Sequence, residues 1–167
     1  LAYVVYGLLL PAIPIVLANG VIAALNVWYL SREFLSSGRR LGAVPIAVDQ
    51  PFLQDFLDSH DADLRRFQPS FTLEGKDAAW LLTREGLPAG ALIGRRAGTD
   101  LLVDLDYVTA PYRDSQLGRW LYGPGSKVLR AGGVQRVVSE PGAPEHRRYL
   151  AAMGFTESDG KMVRTLA

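Results

Sequence analysis

VTAPYRDSQLGRWL, residues 108–121, runs out of a strand pattern, through a turn, and into the start of a helix. The strand before it is LLVDLDYV, residues 101–108, and Gly118 lies where the helix begins. The first turn of a helix has backbone N–H groups without intrahelical partners, and it carries the positive end of the helix dipole. That combination suits a pyrophosphate, so Val108–Leu121 is a candidate anion cradle.

Working outward from the cradle, AAWLLT, AGALIGRR and LLVDLDYV read as three short strands joined by turns at Glu85-Gly86 and at Gly98, an antiparallel meander. Upstream, PFLQDFLDSHDADLRRF places Phe52, Leu53, Phe56, Leu57, Leu64 and Phe67 at broadly helical spacing, and Ala43–Val48 reads as a first strand. Downstream, Leu117–Leu129 reads as a helix, RVVSE as a strand, and His146–Met153 as a short helix. A final strand pair is broken at Asp159-Gly160. The order is α+β.

The amino-terminal part has a different solvent. From Leu1 through Leu30 there is no Asp, Glu, Lys, Arg or His, and Pro11–Leu30 is an uncharged run of the length, about 20 residues, that spans a hydrocarbon core. The pattern predicts a transmembrane helical segment over 1–34, a linker over 35–42, and a folded domain over 43–167. Pro11 and Pro14 break the run into the end of one hydrophobic helix and a last span from about Ile13 to Tyr29. Trp28 and Tyr29 sit where an interfacial aromatic belt lies, and Arg32, Arg39 and Arg40 follow, which points to a cytoplasmic exit from the inner membrane. The start at Leu1 is read as that of a chain with sequence before it. Asn19 and Asn26 fall on one helical face and read as a substrate path, a homo-oligomer contact, or packing against further helices.

Composition narrows the chemistry of the rest. A net charge of +1, with basic residues scattered along the chain, argues against a nucleic-acid partner. There is no cysteine, which removes thiolate catalysis, and His60 and His146 are too few and too far apart in the chain to argue for a metal.

The junction resembles that of the GNAT (Gcn5-related N-acetyltransferase) superfamily, whose signature is Arg/Gln-x-x-Gly-x-Gly/Ala. Arg113-x-x-Gln116-x-Gly118 matches it in part, with Gln116 where the family has its first glycine. RRYLAAMGF, ending in Gly154-Phe155, resembles the family's closing short helix. The resemblance implies a mixed, mostly antiparallel central sheet flanked by helices, and acetyl-CoA or another acyl-CoA as cofactor. It also implies that the loop of Arg113, Asp114, Ser115, Gln116, Leu117, Gly118 and Arg119 holds the pyrophosphate. Tyr107, Val108 and Thr109 would lie along the pantetheine arm, with the Val108 amide as oxyanion donor. The family's general-acid tyrosine falls at Leu150 here, and Tyr149 is one residue earlier, about 100° away on a helix. Tyr149 is therefore either that acid or a packing tyrosine.

For a base, strand alternation puts Asp104 and Asp106 on one face and Leu105 and Tyr107 on the other. The acids either repel each other into a base or ammonium site, or accept bonds from Arg95, Arg96 or Arg113. The expected activity is a membrane-anchored acyl-CoA-dependent N-acyltransferase, in which an unidentified amine attacks directly in a ternary complex. The rivals are a non-catalytic CoA-binding sensor or scaffold, and a small transporter or channel with a regulatory tail.

Overall fold

A computed structural model describes residues 13–36, 40–113 and 116–166. The chain divides into two compact units, one ending at Arg39 and one beginning at Arg40. In the first, α1 (Ile13–Ser36) is a helix of 24 residues. Pro14 falls in its first turn, where a missing N–H costs nothing. Leu17, Val21, Ile22, Leu25, Val27 and Leu30 are exposed, as are Trp28 and Tyr29. The helix begins where the broken apolar run predicts. Among the described residues, however, no helix is long and apolar enough to cross a membrane, so the expected span is not shown. Leu1–Leu10, read above as an earlier hydrophobic helix, lies outside the described residues.

The second unit is built on a seven-stranded sheet in the order β1-β2-β3-β4-β5-β7-β6. Its strands are β1 (Leu41–Ile46), β2 (Ala78–Arg84), β3 (Leu87–Ala97), β4 (Asp100–Val108), β5 (Arg136–Ser139), β6 (Thr156–Ser158) and β7 (Lys161–Thr165). All neighbours are antiparallel except β4 and β5. The β2–β3 and β6–β7 hairpins turn on Glu85-Gly86 and Asp159-Gly160, with positive φ at all four residues. Those are the two-residue turns whose twist matches that of the strands they join.

Helices cover both faces. On one, α2 (Pro51–Ser59) and α3 (Asp61–Phe67) bury Leu53, Phe56, Leu57 and Leu64 against Ile93, Leu105 and Tyr107. The two are separate helices because the backbone leaves helical geometry at His60, whose Nδ1 turns back to the Phe56 carbonyl at 2.7 Å. On the other face, α4 (Gln116–Tyr122), α5 (Ser126–Ala131) and α6 (Pro144–Ala152) bury Leu117, Leu121, Leu129 and Leu150 with Leu92, Leu101 and Val137. The result is the expected mixed, mostly antiparallel sheet between helices.

Two irregularities shape the site. In the β3–β4 ladder Ile93 pairs with Leu105 but Gly94 pairs with Val103, so Asp104 is an extra residue, a β-bulge. Leu101 therefore packs in the core under α4–α6, whereas Leu105 and Tyr107 pack under α2–α3. Secondly, the parallel β4–β5 pairing ends at Val103–Ser139, although β4 continues to Val108. Glu140 and Pro141 follow Ser139, then Gly142 with φ of 56°. Proline cannot donate to a ladder, and the left-handed glycine turns the chain away. The edge of β4 from Asp104 onward thus faces a cleft.

Candidate active site

The cleft is a cavity of about 640 Å³ between the far half of β4, α3, the start of α4 and the start of α6. Backbone groups of successive strand residues point to opposite edges. The Thr109 N–H donates to the Ala89 carbonyl at 2.9 Å, and a Cβ at Gly90 would lie 2.3 Å from the Tyr107 carbonyl oxygen, so Tyr107 and Thr109 address β3. Val108, between them, presents its N–H and carbonyl to the cleft. Of the three strand residues expected along the cofactor, Val108 alone turns its backbone there. The Thr109 hydroxyl also bonds the Ala89 carbonyl, at 3.2 Å. The Tyr107 side chain is buried under α3, and its hydroxyl donates to Asp63 at 2.6 Å. Burial, then the Asp63 carboxylate, push the Tyr107 phenol well above its ordinary value.

The expected pair of acids does not form. The bulge at Asp104 breaks the alternation on which that expectation rests, and the two carboxylates take different partners. Asp104 binds Lys76 at 3.0 Å and the Arg95 guanidinium at 3.1 and 3.2 Å. Burial pushes its carboxyl up, but the Arg95 and Lys76 hydrogen bonds outweigh that and hold it below the usual value. Asp106 points to the opposite face, where its Oδ2 accepts the hydroxyls of Tyr122 at 2.8 Å and Tyr149 at 3.0 Å. Burial raises the Asp106 pKa, and the two phenols offset only part of that.

Tyr149 is brought to the cleft, whereas Leu150, at the position of the family's acid, is 1% exposed in the core. The Tyr149 hydroxyl lies against Gly118, where a Cβ would approach it to 2.5 Å. Burial and the Asp106 charge push the Tyr149 phenol far up, so it keeps its proton. Burial followed by the same charge raises Tyr122.

His146 is a site residue that the sequence reading set aside. It lines the cavity, stacks on Tyr149 with ring centroids 6.2 Å apart, and places Nε2 3.5 Å from the Ser139 Oγ. Burial lowers its pKa, with the Asp106 charge opposing. The i, i+3 spacing of His146 and Tyr149 on one short helix is the signal that could have found it.

In the cradle, Gln116 opens α4, Leu117 and Gly118 are buried, and Arg119 is exposed. Asp114 and Ser115 lie outside the described residues. The Arg113 Nε donates to the Val108 carbonyl at 2.8 Å, its Nη2 pairs with Asp63, and its guanidinium lies 4.7 Å from the Phe67 centroid.

No family model matches the chain, and no curated protein does. Solved structures do. The N-acetyltransferase YhhK from E. coli, described as putative and bound to coenzyme A, is 18% identical with a TM-score of 0.51, over 75% of this chain and 98% of that one. Aminoglycoside acetyltransferase AAC(6')-Ib with coenzyme A and kanamycin is 16% identical with a TM-score of 0.53, over 75% and 94%. Tetrahymena GCN5 is 11% identical with a TM-score of 0.55, over 75% and 96%. What this chain shares with these acetyltransferases is the GNAT fold.

Proposed function

We propose that the chain is an acyl-CoA-dependent N-acyltransferase that moves an acetyl group to an amine by direct attack in a ternary complex. The carrying observation is the β4 edge that β5 leaves at Val103–Ser139, with the Val108 N–H, Gly118 and the Tyr149 hydroxyl arranged around it. The fold neighbours solved with coenzyme A support the same cofactor here. The residues fit it: a strand edge with an outward N–H lines the cleft, and Gly118 at the start of α4 lets the Tyr149 hydroxyl approach that same cleft.

Acetyl-CoA would supply the activated thioester. The Val108 N–H is placed to donate to its carbonyl oxygen. His146, kept neutral by burial, takes the proton from the attacking amine. The Tyr149 hydroxyl, turned from Asp106 to the leaving sulfur, gives it a proton and regains one from the His146 imidazolium. Asp106 positions Tyr149, and Asp104 has a structural role in its ion pairs.

The domain is held at the inner membrane and faces the cytoplasm. The charge-free run Leu1–Leu30 and the exposed apolar side chains of α1 support that attachment. Alkaline carbonate extraction of cell membranes tests it, and release of the chain into the supernatant would count against it.

Calorimetry of acetyl-CoA with the full chain, beside Gly118→Trp, tests the cofactor. Binding that the substitution abolishes is the expected result. The absence of binding to a folded protein would favour a scaffold. Binding without turnover across an amine panel would favour a sensor, a reading that Gln116 in place of the signature glycine supports.

A further inference from the structure

Arg113 sits in a box built for a positive charge. Its guanidinium lies over the Phe67 ring at 4.7 Å and the Tyr107 ring at 5.7 Å. It pairs with the Asp63 carboxylate and donates to the Val108 carbonyl at 2.8 Å. Two aromatic faces, a carboxylate and a carbonyl are the elements that recognise a cation, here at a site open to solvent on the Phe67 side. The box is also preassembled, because the Tyr107 hydroxyl holds Asp63 at 2.6 Å independently of Arg113.

The position of the box gives it meaning. The N–H and carbonyl of one strand residue leave by the same edge, so the Val108 carbonyl that Arg113 touches lies beside the Val108 N–H of the cleft. Phe67, Tyr107, Val108 and Arg113 all line the same cavity as His146 and Tyr149. A cation in the box would be held next to the bond-forming position. Arg113 is in addition the first residue of the signature Arg113-x-x-Gln116-x-Gly118, and a guanidinium is drawn to phosphate oxygens in the bidentate geometry that suits both.

We propose that Phe67, Tyr107, Asp63 and the Val108 carbonyl form the seat for the acceptor's cationic group, a primary alkylammonium. In this proposal Arg113 fills the seat until the cofactor's phosphates draw its side chain out. The inference rests on the acyl-CoA reading above and deepens it: the acceptor is a cationic amine, and it binds second. The ion pair with Asp63 then keeps the seat closed to amines until the thioester is in place.

The test uses the full chain and n-butylammonium chloride as the probe, with 1-butanol as its uncharged counterpart, both followed by ligand-observed NMR titration. Wild-type protein saturated with coenzyme A is expected to bind butylammonium about tenfold more tightly than butanol, and wild-type protein without coenzyme A to show no such preference. Arg113→Ala is expected to show the preference without coenzyme A, and adding Asp63→Asn to remove it. Should Arg113→Ala fail to fold by circular dichroism, Arg113→Met, which keeps the aliphatic stem over the rings, takes its place. Equal binding of butylammonium and butanol by the folded Arg113 variant overturns the proposal. Coenzyme A that does not bind wild-type protein overturns the functional reading instead, while the Arg113 variants, which need no coenzyme A, still decide the seat.

Discussion

The Tyr149 hydroxyl donates to the Asp106 carboxylate at 3.0 Å across 43 residues of chain, and that same oxygen accepts from Tyr122 at 2.8 Å. A strand from one side of the cleft and a helix from the other are thereby joined at a phenol that reaches Gly118. Tyr149→Phe keeps the ring and removes the proton donor. It is expected to lower kcat by about 10²–10⁴ if the hydroxyl protonates the leaving sulfur, and to cost about 1–3 kcal/mol for leaving a buried acceptor short of a donor. Steady-state kinetics and urea denaturation read the two effects separately.

Asp106 also sets a pH signature. Burial raises its folded pKa above the ordinary 3.8, so the folded state holds the proton to higher pH than the unfolded chain does. Stability from this group is fully present below the unfolded value and is lost as pH rises through the raised folded value. Asp106→Asn removes that slope. Thermal melting of both proteins from pH 3 upward checks it, and an unchanged slope in the variant would assign the effect elsewhere.

For His146 the sign is reversed. Its folded pKa lies below the ordinary 6.5 because of burial, so stability is lost as pH falls from the unfolded value through the folded one. The acid limb of kcat/KM is expected below pH 6.5, and His146→Ala to lower the rate about 10²–10⁴-fold and remove that limb. A pH–rate profile on each protein is the measurement.

Gly94 stands beside the bulge, where an added Cβ would come within 2.1 Å of the Leu102 carbonyl oxygen, a backbone atom with little freedom to move. Gly94→Ala is expected to destabilise the domain by about 3 kcal/mol, as overpacking does. Because the bulge puts Asp106 on the face of Tyr149, the kcat of whatever remains folded should fall as well. Chemical denaturation and kinetics on the same preparation test both.

Asp104→Asn should behave differently from any Asp106 variant. Its ion pairs with Lys76 and Arg95 are partly exposed and so are expected to contribute about 1 kcal/mol. The Asp104 pKa lies below the usual value, so its contribution is present above pH 3.8 and is lost as pH falls through the folded value. The variant should leave kcat within about twofold of wild type. A loss as large as that expected for Tyr149→Phe would restore Asp104 as a base.

Much of the fold was legible in the sequence because its signals are local. The short apolar strands of the meander, the Glu85-Gly86 and Asp159-Gly160 turns, and the strand-to-helix passage at Val108–Leu121 each depend on residues within a few positions of one another. The structure places those elements as read. The start of α1 at Ile13 follows from the proline pattern in the same way.

The site was legible only in its parts. Alternation placed Asp104 beside Asp106, but a bulge belongs to a pair of strands, and it moved one acid to Lys76 and the other to two tyrosines. Helical spacing alone could not choose between Tyr149 and Leu150, because the answer depends on which face of α6 meets the core. Nor could the signature show that Arg113 would meet Asp63, 50 residues earlier in the chain. Local periodicity determined the elements of this protein; the close packing of two cores against one sheet, irregular at Asp104 and open beyond Ser139, decided which side chains share the cleft.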